Sequence, residues 1–406
     1  MTERVDVVVA GGGPAGLQFA RSLAERSEYS VVVLETNDEL SDNDKSTGGT
    51  FDQVVEGFDI PDSVVQADCA DVVFEAPDAS ERLPIPGYVL DFPSFLEFLG
   101  EDARHHGAEI RTGCRVTNPI REGRDVTGVV YRENGGEKRI YADLVVEATG
   151  PAAVLAEPLG MFTPGEAQRG IGKEYEIEGR YDLDSMLFRF DHAAAPGGYA
   201  WTFPAGEGVF KAGVCWVDDF YERHGPDGSG GALIDDYIDR WIESDDRWEA
   251  ENRRVAHAGQ AVLNNSLNRR AVDGLVAIGD AVSSINPLFG EGIRPGMESA
   301  AMAVDVAIDA LDAGDTSGER LAPYERRWND EKGFHWRVQR IVGELLYDFT
   351  ADQQTQFVRK AGQLDAAGAR RLQRYELSVR DYLSLYPFDP ADVAKVPRLL
   401  RHVRSA

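Results

Sequence analysis

The chain opens with a short apolar run that ends in glycines. In RVDVVVAGGGPAGLQFARSLAE, four apolar residues starting at Val7 lead into a glycine-rich turn, after which apolar residues recur at helical spacing. The next apolar run, YSVVVLE, has the length and β-branched content of a second buried strand. The pattern up to Glu35 therefore predicts a strand, a tight turn, a helix and another strand, as at the start of an α/β sheet.

Further along the chain the pattern changes twice. FPSFLEFLGEDARHHGAEIRTGCRV predicts an amphipathic helix followed by a strand, with Phe95, Leu96, Phe98 and Leu99 on the packed side of the helix. Between 151 and 264, SMLFRF, GYAWTFPAG and VFKAGVCWV alternate as strands of an antiparallel sheet do. GLVAIGDAVSSINPLFGEGIRPGMESAAMAVDVAIDAL then predicts a buried strand, a loop and a long helix of small residues.

A helical segment is predicted to finish the chain. Apolar residues recur there at helical spacing, namely Trp328, Phe334, Trp336, Val338, Ile341, Val342, Leu345, Leu346 and Phe349. Such an aromatic stripe is more often core than a lipid-binding face. We predict three parts: a discontinuous cofactor domain (1–60, 88–150 and 265–325), a substrate domain (61–87 and 151–264) and a helical region (326–406).

Composition narrows the class of protein. With 406 residues, 43% hydrophobic and 28% charged, the chain is globular. A formal net charge of −28 argues against nucleic-acid binding, which needs a basic face. Only seven of the 42 basic residues are lysines, and high negative charge with few lysines is typical of adaptation to concentrated salt, which predicts a halophilic source.

Cysteines and hydropathy add three expectations. Cys69, Cys114 and Cys215 lie too far apart for a disulfide framework or a metal or iron–sulfur site, so we expect structural thiols and no metal. No apolar run reaches the roughly 18 residues of a membrane span, and no signal segment precedes the first strand. The chain is thus expected in the cytoplasm, with a peripheral contact at the inner face of the membrane left open.

The glycine turn carries the first candidate chemistry. Gly11, Gly13 and Gly16 fit G-x-G-x-x-G, in which the glycines permit the turn, the approach of a pyrophosphate and close packing of helix on strand. Glu35 ends the second strand about 20 residues later, where a carboxylate accepts hydrogen bonds from ribose hydroxyls. This arrangement predicts binding of the ADP part of a dinucleotide, without distinguishing FAD from NAD.

Two later motifs make that distinction. The segment with Gly279 and Asp280 resembles the second FAD motif of flavoproteins with the p-hydroxybenzoate hydroxylase fold, and YADLVVEATGP, which contains Gly150, resembles their middle motif. In that family the aspartate binds ribityl or ribose hydroxyls, and the turn matching 287–292 lies against the flavin ring. The resemblance implies FAD. The cofactor-binding residues are predicted to be Gly11, Gly13, Pro14, Ala15, Gly16, Glu35, Thr47, Gly48, Gly49, Gly150, Asp280, Pro287, Gly290, Gly292 and Ile293.

The stretch PGGYAWTFPAGEGVFKAGV resembles the geranylgeranyl reductase family. Its residues Pro196, Tyr199, Trp201, Phe203 and Pro204 fit P-x-x-Y-x-W-x-F-P, the substrate-domain motif of that family. The resemblance covers about residues 5 to 320. It implies an α/β fold, with a Rossmann-like FAD-binding domain, an antiparallel-sheet substrate domain and a C-terminal helical segment. It also implies saturation of isoprenoid double bonds in membrane lipids or prenyl quinones, with the last four motif residues binding substrate.

Two departures from the family pattern concern the substrate side. Thr47, followed by Gly48 and Gly49, stands where the family has a cysteine, and Phe92 follows Asp91 where the family has an arginine. Reduction of an unactivated alkene needs a hydride from the flavin and a proton, and we expect the proton to arrive first. No proton donor is evident in the sequence, so the catalytic residues stay open.

The source of electrons is also open. The chain has no second glycine fingerprint, so the reductant is expected to be external: ferredoxin, NAD(P)H or another carrier. The alternatives are a monooxygenase or halogenase of the same fold, an electron carrier of the electron-transfer-flavoprotein dehydrogenase type, and a non-catalytic flavin-binding protein. The scattered cysteines disfavour the electron carrier, because its relatives carry a four-cysteine ferredoxin segment.

Overall fold

A computed structural model describes residues 3–161, 168–225, 234–263 and 269–388. Its strands, in chain order, are β1 Glu3–Ala10, β2 Val31–Leu34, β3 Gly49–Thr50, β4 Val65–Cys69, β5 Asp71–Ala76, β6 Ala79–Leu83, β7 Gly87–Leu90, β8 Glu109–Arg111, β9 Cys114–Glu122, β10 Asp125–Glu133, β11 Gly136–Glu147, β12 Gln168–Tyr181, β13 Ser185–Arg189, β14 Gly198–Pro204, β15 Val209–Val217, β16 Trp248–Leu263, β17 Ala271–Val272 and β18 Leu275–Ala277. Its helices are α1 Pro14–Arg26, α2 Asp52–Val55, α3 Phe92–His105, α4 Asp218–His224, α5 Ile234–Glu243, α6 Ile293–Asp312, α7 Gly318–Trp328, α8 Phe334–Leu346, α9 Ala351–Ala361, α10 Ala366–Arg374 and α11 Val379–Leu385.

The first sheet has the parallel centre that its apolar strands predict. Its strand order is β17-β18-β11-β1-β2-β8, with β9 and β10 attached as antiparallel strands beside β11. Strands β18, β11, β1, β2 and β8 are mutually parallel, and α1 packs against α3 and α6. Val7, Val8 and Val9 are fully buried, because a parallel strand covered on both faces contacts core on both sides.

The second sheet contains the alternating strands. Its order is β16-β12-β15-β14-β13-β5-β6, and every pairing is antiparallel except β13 with β5. The strands between 151 and 264 thus pair antiparallel with one another, as predicted, and β5 and β6 from the segment 71–83 extend this sheet beyond β13. The flanking strand β7 instead pairs with both β3 and β4 in a small third sheet, which the sequence pattern does not predict. The proposed domain boundaries stay predictions.

Helices α7 to α11 form the described part of the C-terminal region. The stripe is mostly core: Trp328, Trp336, Leu346 and Phe349 are buried, and 338, 341, 342 and 345 are half-buried. Phe334 differs from that expectation, because its side chain is 51% exposed at the start of α8. Residues 389–406 lie outside the described part of the chain. Every described helix is too short or too polar to span a bilayer.

Candidate functional site

The predicted cofactor motifs meet at one edge of the first sheet. Strands β1, β2, β11 and β18 are parallel neighbours that end at Ala10, Leu34, Glu147 and Ala277, which are partners in register. The segments that follow these ends hold the glycine turn, Glu35, the Ala-Thr-Gly motif and the Gly-Asp motif. Ligands of open α/β sheets bind at this edge, at the carboxyl ends of the strands.

A cavity of about 430 Å³ joins this edge to the second sheet. Its lining includes predicted cofactor residues, the aromatic face of β14 and residues of the C-terminal helices. The predicted residues in the lining are Gly13, Pro14, Ala15, Thr47, Gly49, Gly150, Asp280, Pro287, Gly290, Gly292, Ile293, Tyr199, Trp201 and Phe203. The described residues Gly11, Gly16, Glu35, Gly48 and Pro204 are not part of the lining.

The three glycines of the G-x-G-x-x-G motif differ in what a side chain at each position would contact. A Cβ on Gly11 would lie 2.3 Å from the carbonyl oxygen of Ala148, and one on Gly16 would lie 2.1 Å from that of Gly11, so both are required by the protein itself. Gly11 also has a φ of +110°, which side chains disfavour. A Cβ on Gly13 would meet no protein atom within 4 Å. No protein atom therefore requires a glycine at 13, and the space beside it, at the wall of the cavity, is open to a ligand.

Glu35 is buried directly after β2, and its carboxylate faces the glycine turn. Oε2 accepts the backbone N–H of Gly12 at 2.7 Å, and Oε1 accepts that of Asn37 at 2.9 Å. These bonds fix the carboxylate at the edge of the sheet where the motifs meet. Its predicted contact with ribose hydroxyls stays a prediction.

Replacing Glu35 with Gln is expected to weaken FAD binding by about 1–3 kcal/mol, the scale of a charge-assisted hydrogen bond. The measurement is an equilibrium titration of FAD into the cofactor-free protein. Asp38→Asn is the control, because it removes one exposed carboxylate nearby and should leave the affinity unchanged. Unchanged affinity of Glu35→Gln would mean that another residue holds the ribose.

The Gly-Asp motif supplies an unpartnered polar atom. Oδ1 of Asp280 is buried and has no hydrogen-bond partner among the described residues. Burial raises the pKa of the Asp280 carboxyl to about 6. A buried acceptor without a donor is costly, so this carboxylate fits a ligand that brings hydroxyl groups.

The N-terminus of α6 borders the same cavity. The helix begins at Ile293 with Gly292 as its N-cap residue, as predicted, and no side chain caps it. The positive end of the helix dipole therefore faces the cavity beside Asp280. The fit of FAD is supported by three features of this edge: the free space over Gly13, the unpartnered Asp280 oxygen and the uncapped helix.

The turn before α6 is braced from two sides. The side-chain oxygen of Asn286 accepts the backbone N–H groups of Leu288 at 2.9 Å and Phe289 at 3.0 Å. The hydroxyl of Tyr199 donates to the carbonyl of Phe289 at 2.6 Å, and that of Tyr347 in the C-terminal region donates to the carbonyl of Leu288. Tyr199 thus ties the substrate sheet to the turn that holds Pro287 and Gly290, a role beyond the predicted substrate contact.

The loop with Thr47 lies across the cavity from this turn. The hydroxyl of Thr47 has no hydrogen-bond partner among the described residues, and its carbonyl accepts from Nζ of Lys211 at 3.1 Å. A Cβ on Gly48 would lie 2.2 Å from the carbonyl oxygen of Leu90, which keeps this loop against β7. Phe92, where the family has an arginine, is buried and lines the cavity, which makes this wall apolar.

The aromatic residues of β14 share one face, as the alternation predicts. Tyr199 and Trp201 have ring centroids 5.9 Å apart, and Phe203 contacts Phe188 of the neighbouring strand at 5.0 Å. Pro204 is placed differently from the prediction: as the next residue after Phe203 it belongs to the opposite face. Its predicted substrate contact has no support in the lining of the cavity.

A polar row of four residues, which starts at Trp201, crosses four adjacent strands of the second sheet. In register from β14 to β16, Trp201 pairs with Gly213, Gly213 with Glu174, and Glu174 with His257. The indole N–H of Trp201 donates to Oε2 of Glu174 at 2.8 Å. A Cβ on Gly213 would lie 2.4 Å from the indole, so this glycine lets the ring reach across β15.

The polar row was not predictable from the alternation of residues along these strands. Glu174 and His257 are buried and line the cavity, although the alternating pattern of their strands favours solvent exposure for both. The neighbouring Lys211 is buried as well and donates to the carbonyl of Thr47. Lys211 is the one of these residues that the sequence could have indicated, because it is a charged residue inside the otherwise apolar run VFKAGVCWV. The burial of these residues depends on which strands pair with one another, and a single sequence does not show this pairing.

The cysteines are free thiols. Cys69 and Cys114 are buried, and burial raises the pKa of Cys69 to about 12. Cys215 lines the cavity, and its Sγ donates to the carbonyl of Tyr199 at 3.6 Å. Burial raises the pKa of the Cys215 thiol to about 12, so it stays protonated near neutral pH.

Comparison with known proteins agrees with this geometry. Residues 4–331 match the model of the FAD binding domain family. A digeranylgeranylglycerophospholipid reductase of Haloferax volcanii is 41% identical over 86% of this chain and 87% of that protein. This chain belongs to the digeranylgeranylglycerophospholipid reductase family. A second member of the family, from Methanothermobacter thermautotrophicus, is 30% identical over 81% of this chain and 84% of that protein.

Solved structures of similar fold include a reductase-like protein and halogenating enzymes. A geranylgeranyl bacteriochlorophyll reductase-like protein from Thermoplasma acidophilum has a TM-score of 0.82 at 21% identity, with both chains fully covered. A flavin-dependent brominase has a TM-score of 0.68 at 17% identity, covering 99% of this chain and 100% of that one. At such identity both similarities describe the fold. The family assignment confirms FAD as the cofactor, and the Haloferax relative agrees with the salt-adapted composition.

Proposed function

We propose that the protein saturates geranylgeranyl double bonds of archaeal glycerophospholipids, using reduced FAD. The family membership establishes an FAD-dependent reductase of isoprenoid lipids. The observation that carries the proposal for this chain is that the cofactor turns and the apolar rings of β14 line the same cavity. An isoprenoid chain lying along those rings would be next to the cofactor.

The residues of the cavity have separate tasks in this proposal. Gly13, Asp280 and the start of α6 hold the cofactor, as the free space, the unpartnered oxygen and the uncapped helix suggest. When bound and reduced, FAD supplies the hydride. The rings of Tyr199 and Trp201 exclude water and stabilise positive charge on the alkene by cation–π attraction.

Product analysis tests the reaction class. Chemically reduced protein is incubated without oxygen with a digeranylgeranyl glycerophospholipid, and the lipid is analysed by mass spectrometry. The proposal predicts a gain of two hydrogen atoms for each double bond reduced. Products that contain added oxygen or halogen, formed only when oxygen is admitted, would instead support the monooxygenase or halogenase alternative.

The electron donor is proposed to be external to the chain. One glycine fingerprint serves the FAD, so ferredoxin, NAD(P)H or another carrier would bring the electrons. Anaerobic mixing of the oxidised protein with each donor in turn, followed by flavin absorbance, identifies the donor that reduces it.

A peripheral membrane contact through α11 is part of the proposal. Val379 and Leu383 are spaced by four residues on this helix and are 53% and 55% exposed, and Phe388 beyond the helix is 69% exposed. Exposed apolar side chains near one another are suited to a lipid surface. The bilayer is the occupant that fits, because the substrate of the family is a membrane lipid.

Leu383→Glu is expected to lower binding to vesicles of archaeal lipid about tenfold, because it places a charge in the apolar contact. The assay is co-sedimentation at several lipid concentrations in high salt. Ser384→Glu is the matched control, since it adds the same charge at the neighbouring exposed position. Equal binding by parent and both variants would rule out α11 as the contact.

A further inference from the structure

The proton donor that the sequence leaves open has a candidate in the second sheet. Glu174 lies in the middle of β12, lines the cavity and is only 2% exposed. Its Oε2 accepts the indole N–H of Trp201, while its Oε1 has no hydrogen-bond partner among the described residues. We propose that Glu174 is the catalytic acid that protonates the isoprenoid double bond, an inference that rests on the proposed function.

The hydrogen-bond pattern identifies the oxygen that carries the proton in the neutral acid. Since Oε2 accepts the indole N–H of Trp201, Oε2 is then the carbonyl oxygen and Oε1 the hydroxyl. Within the described ranges, no cationic group lies close enough to Glu174 to form an ion pair with it. Burial raises the pKa of the Glu174 carboxyl, which favours the neutral acid.

Four neighbouring groups set this equilibrium. Lys211 from β15, the Trp201 hydrogen bond and His257 from β16 act to lower the pKa of Glu174, and Asp44 from the loop after β2 acts to raise it. Lys211 also donates a hydrogen bond to the carbonyl of Thr47. The effect of burial is larger than that of each neighbour.

His257 offers a route for restoring the proton. Its Nδ1–H donates to the carbonyl of Asp44 at 2.6 Å, and its Nε2 has no partner among the described residues. Because His257 and Glu174 are register partners on adjacent strands, their side chains are neighbours on one face of the sheet. We assign to His257 the return of a proton to the Glu174 carboxylate after the reaction, through its unpartnered Nε2.

Proton transfer from Glu174 supplies one of the two hydrogens that each double bond gains on reduction. The Oε1–H bond of Glu174 breaks, and the π electron pair of the alkene forms a C–H bond at one carbon. The other carbon becomes electron-deficient and accepts the hydride described above, so that the alkene gains both hydrogens and the cofactor is left oxidised. Glu174 ends as a carboxylate and regains its proton through His257.

Glu174→Gln tests the assignment, because it keeps the shape and the Trp201 contact but removes the acidic proton. Lipid reduction is expected to fall about a hundredfold or more, the scale of general acid catalysis. FAD affinity and reduction of the flavin by dithionite should stay at the parent values. Glu176→Gln is the control: Glu176 is two residues further along β12, pairs with Arg254 at 3.7 Å and does not line the cavity, so the parent rate is expected.

The pH profile gives a second readout. Since the neutral acid is the active form, the parent rate should fall as pH rises through the raised pKa of Glu174. The small residual rate of Glu174→Gln should lack this fall.

Infrared spectroscopy tests the protonation state without turnover. The oxidised FAD-containing parent, at its pH of maximal activity, should show the carbonyl stretch of a neutral carboxylic acid that Glu174→Gln loses and Glu176→Gln keeps. A parent rate for Glu174→Gln, or absence of this band, would overturn the assignment. A parent protein that shows the band but does not reduce the lipid would refute the proposed function and, with it, this role.

Discussion

Gly13→Val folds normally and loses FAD: this is the expected result of filling the space over the glycine turn. The backbone at Gly13 has φ −78° and ψ 179°, which a valine adopts without strain, and a Cβ there meets no protein atom within 4 Å. The clash therefore falls on the pyrophosphate. FAD affinity is expected to fall at least tenfold, about 1.4 kcal/mol, with the loss of all activity that depends on FAD.

The measurement is the FAD content of the purified protein, together with a titration of added FAD. Gly136→Val is the matched control, since Gly136 is exposed on the β10–β11 hairpin and its nearest obstacle, the carbonyl oxygen of Glu133, would be 3.5 Å from a Cβ. This control should keep its FAD, and both variants should unfold near the same temperature without cofactor. Full FAD occupancy in Gly13→Val would contradict the assignment of this turn.

Trp201→Ala is expected to keep FAD and to reduce the lipid at least tenfold more slowly, about 1.4 kcal/mol in the barrier. The substitution removes an aromatic wall of the cavity and leaves Oε2 of Glu174 without its donor. None of the predicted FAD contacts is made by Trp201, so cofactor binding should not change. Initial rates of lipid reduction at saturating reductant provide the measurement.

Two further variants separate the roles of this indole. Trp248→Ala removes a tryptophan that is equally buried but packs in a separate core cluster, so it should cost stability and spare the rate of the folded protein. Trp201→Phe keeps a ring but removes the N–H that acts to lower the pKa of Glu174, so the fall in rate should move to higher pH. Parent rates and parent pH profiles in both Trp201 variants would mean that Trp201 only fills the core.

The cofactor edge was predictable because its signals are local. Gly11, Glu35 and Gly292 each stand at the end of a strand or the start of a helix, and apolar runs of β-branched or small residues mark those elements. Parallel strands then bring the motifs together without further information, because their carboxyl ends share one edge. The hydrogen bond from Tyr347 to the turn before α6 was not predictable, since no sequence feature near Tyr347 indicates a bond to the carbonyl of Leu288.

The polar row shows what local patterns miss. In GKEYEIE the acidic residues alternate, which is typical of a strand with one solvated face, yet Glu174 is buried. Its environment depends on pairing with Gly213 and His257, more than 35 and 80 positions away, and on the space that Gly213 leaves for the indole of Trp201. Such a site becomes visible only when the order and register of the strands are known.

Anaerobic titration of the reduced protein with a digeranylgeranyl glycerophospholipid shows directly whether the bound flavin reduces the lipid. The protein is reduced with a stoichiometric amount of dithionite, and the absorbance of oxidised flavin is followed as lipid is added without oxygen. For a lipid reductase, we expect the absorbance to return in proportion to the double bonds reduced. A flavin that stays reduced with the lipid, and is oxidised only when oxygen is admitted, would contradict it.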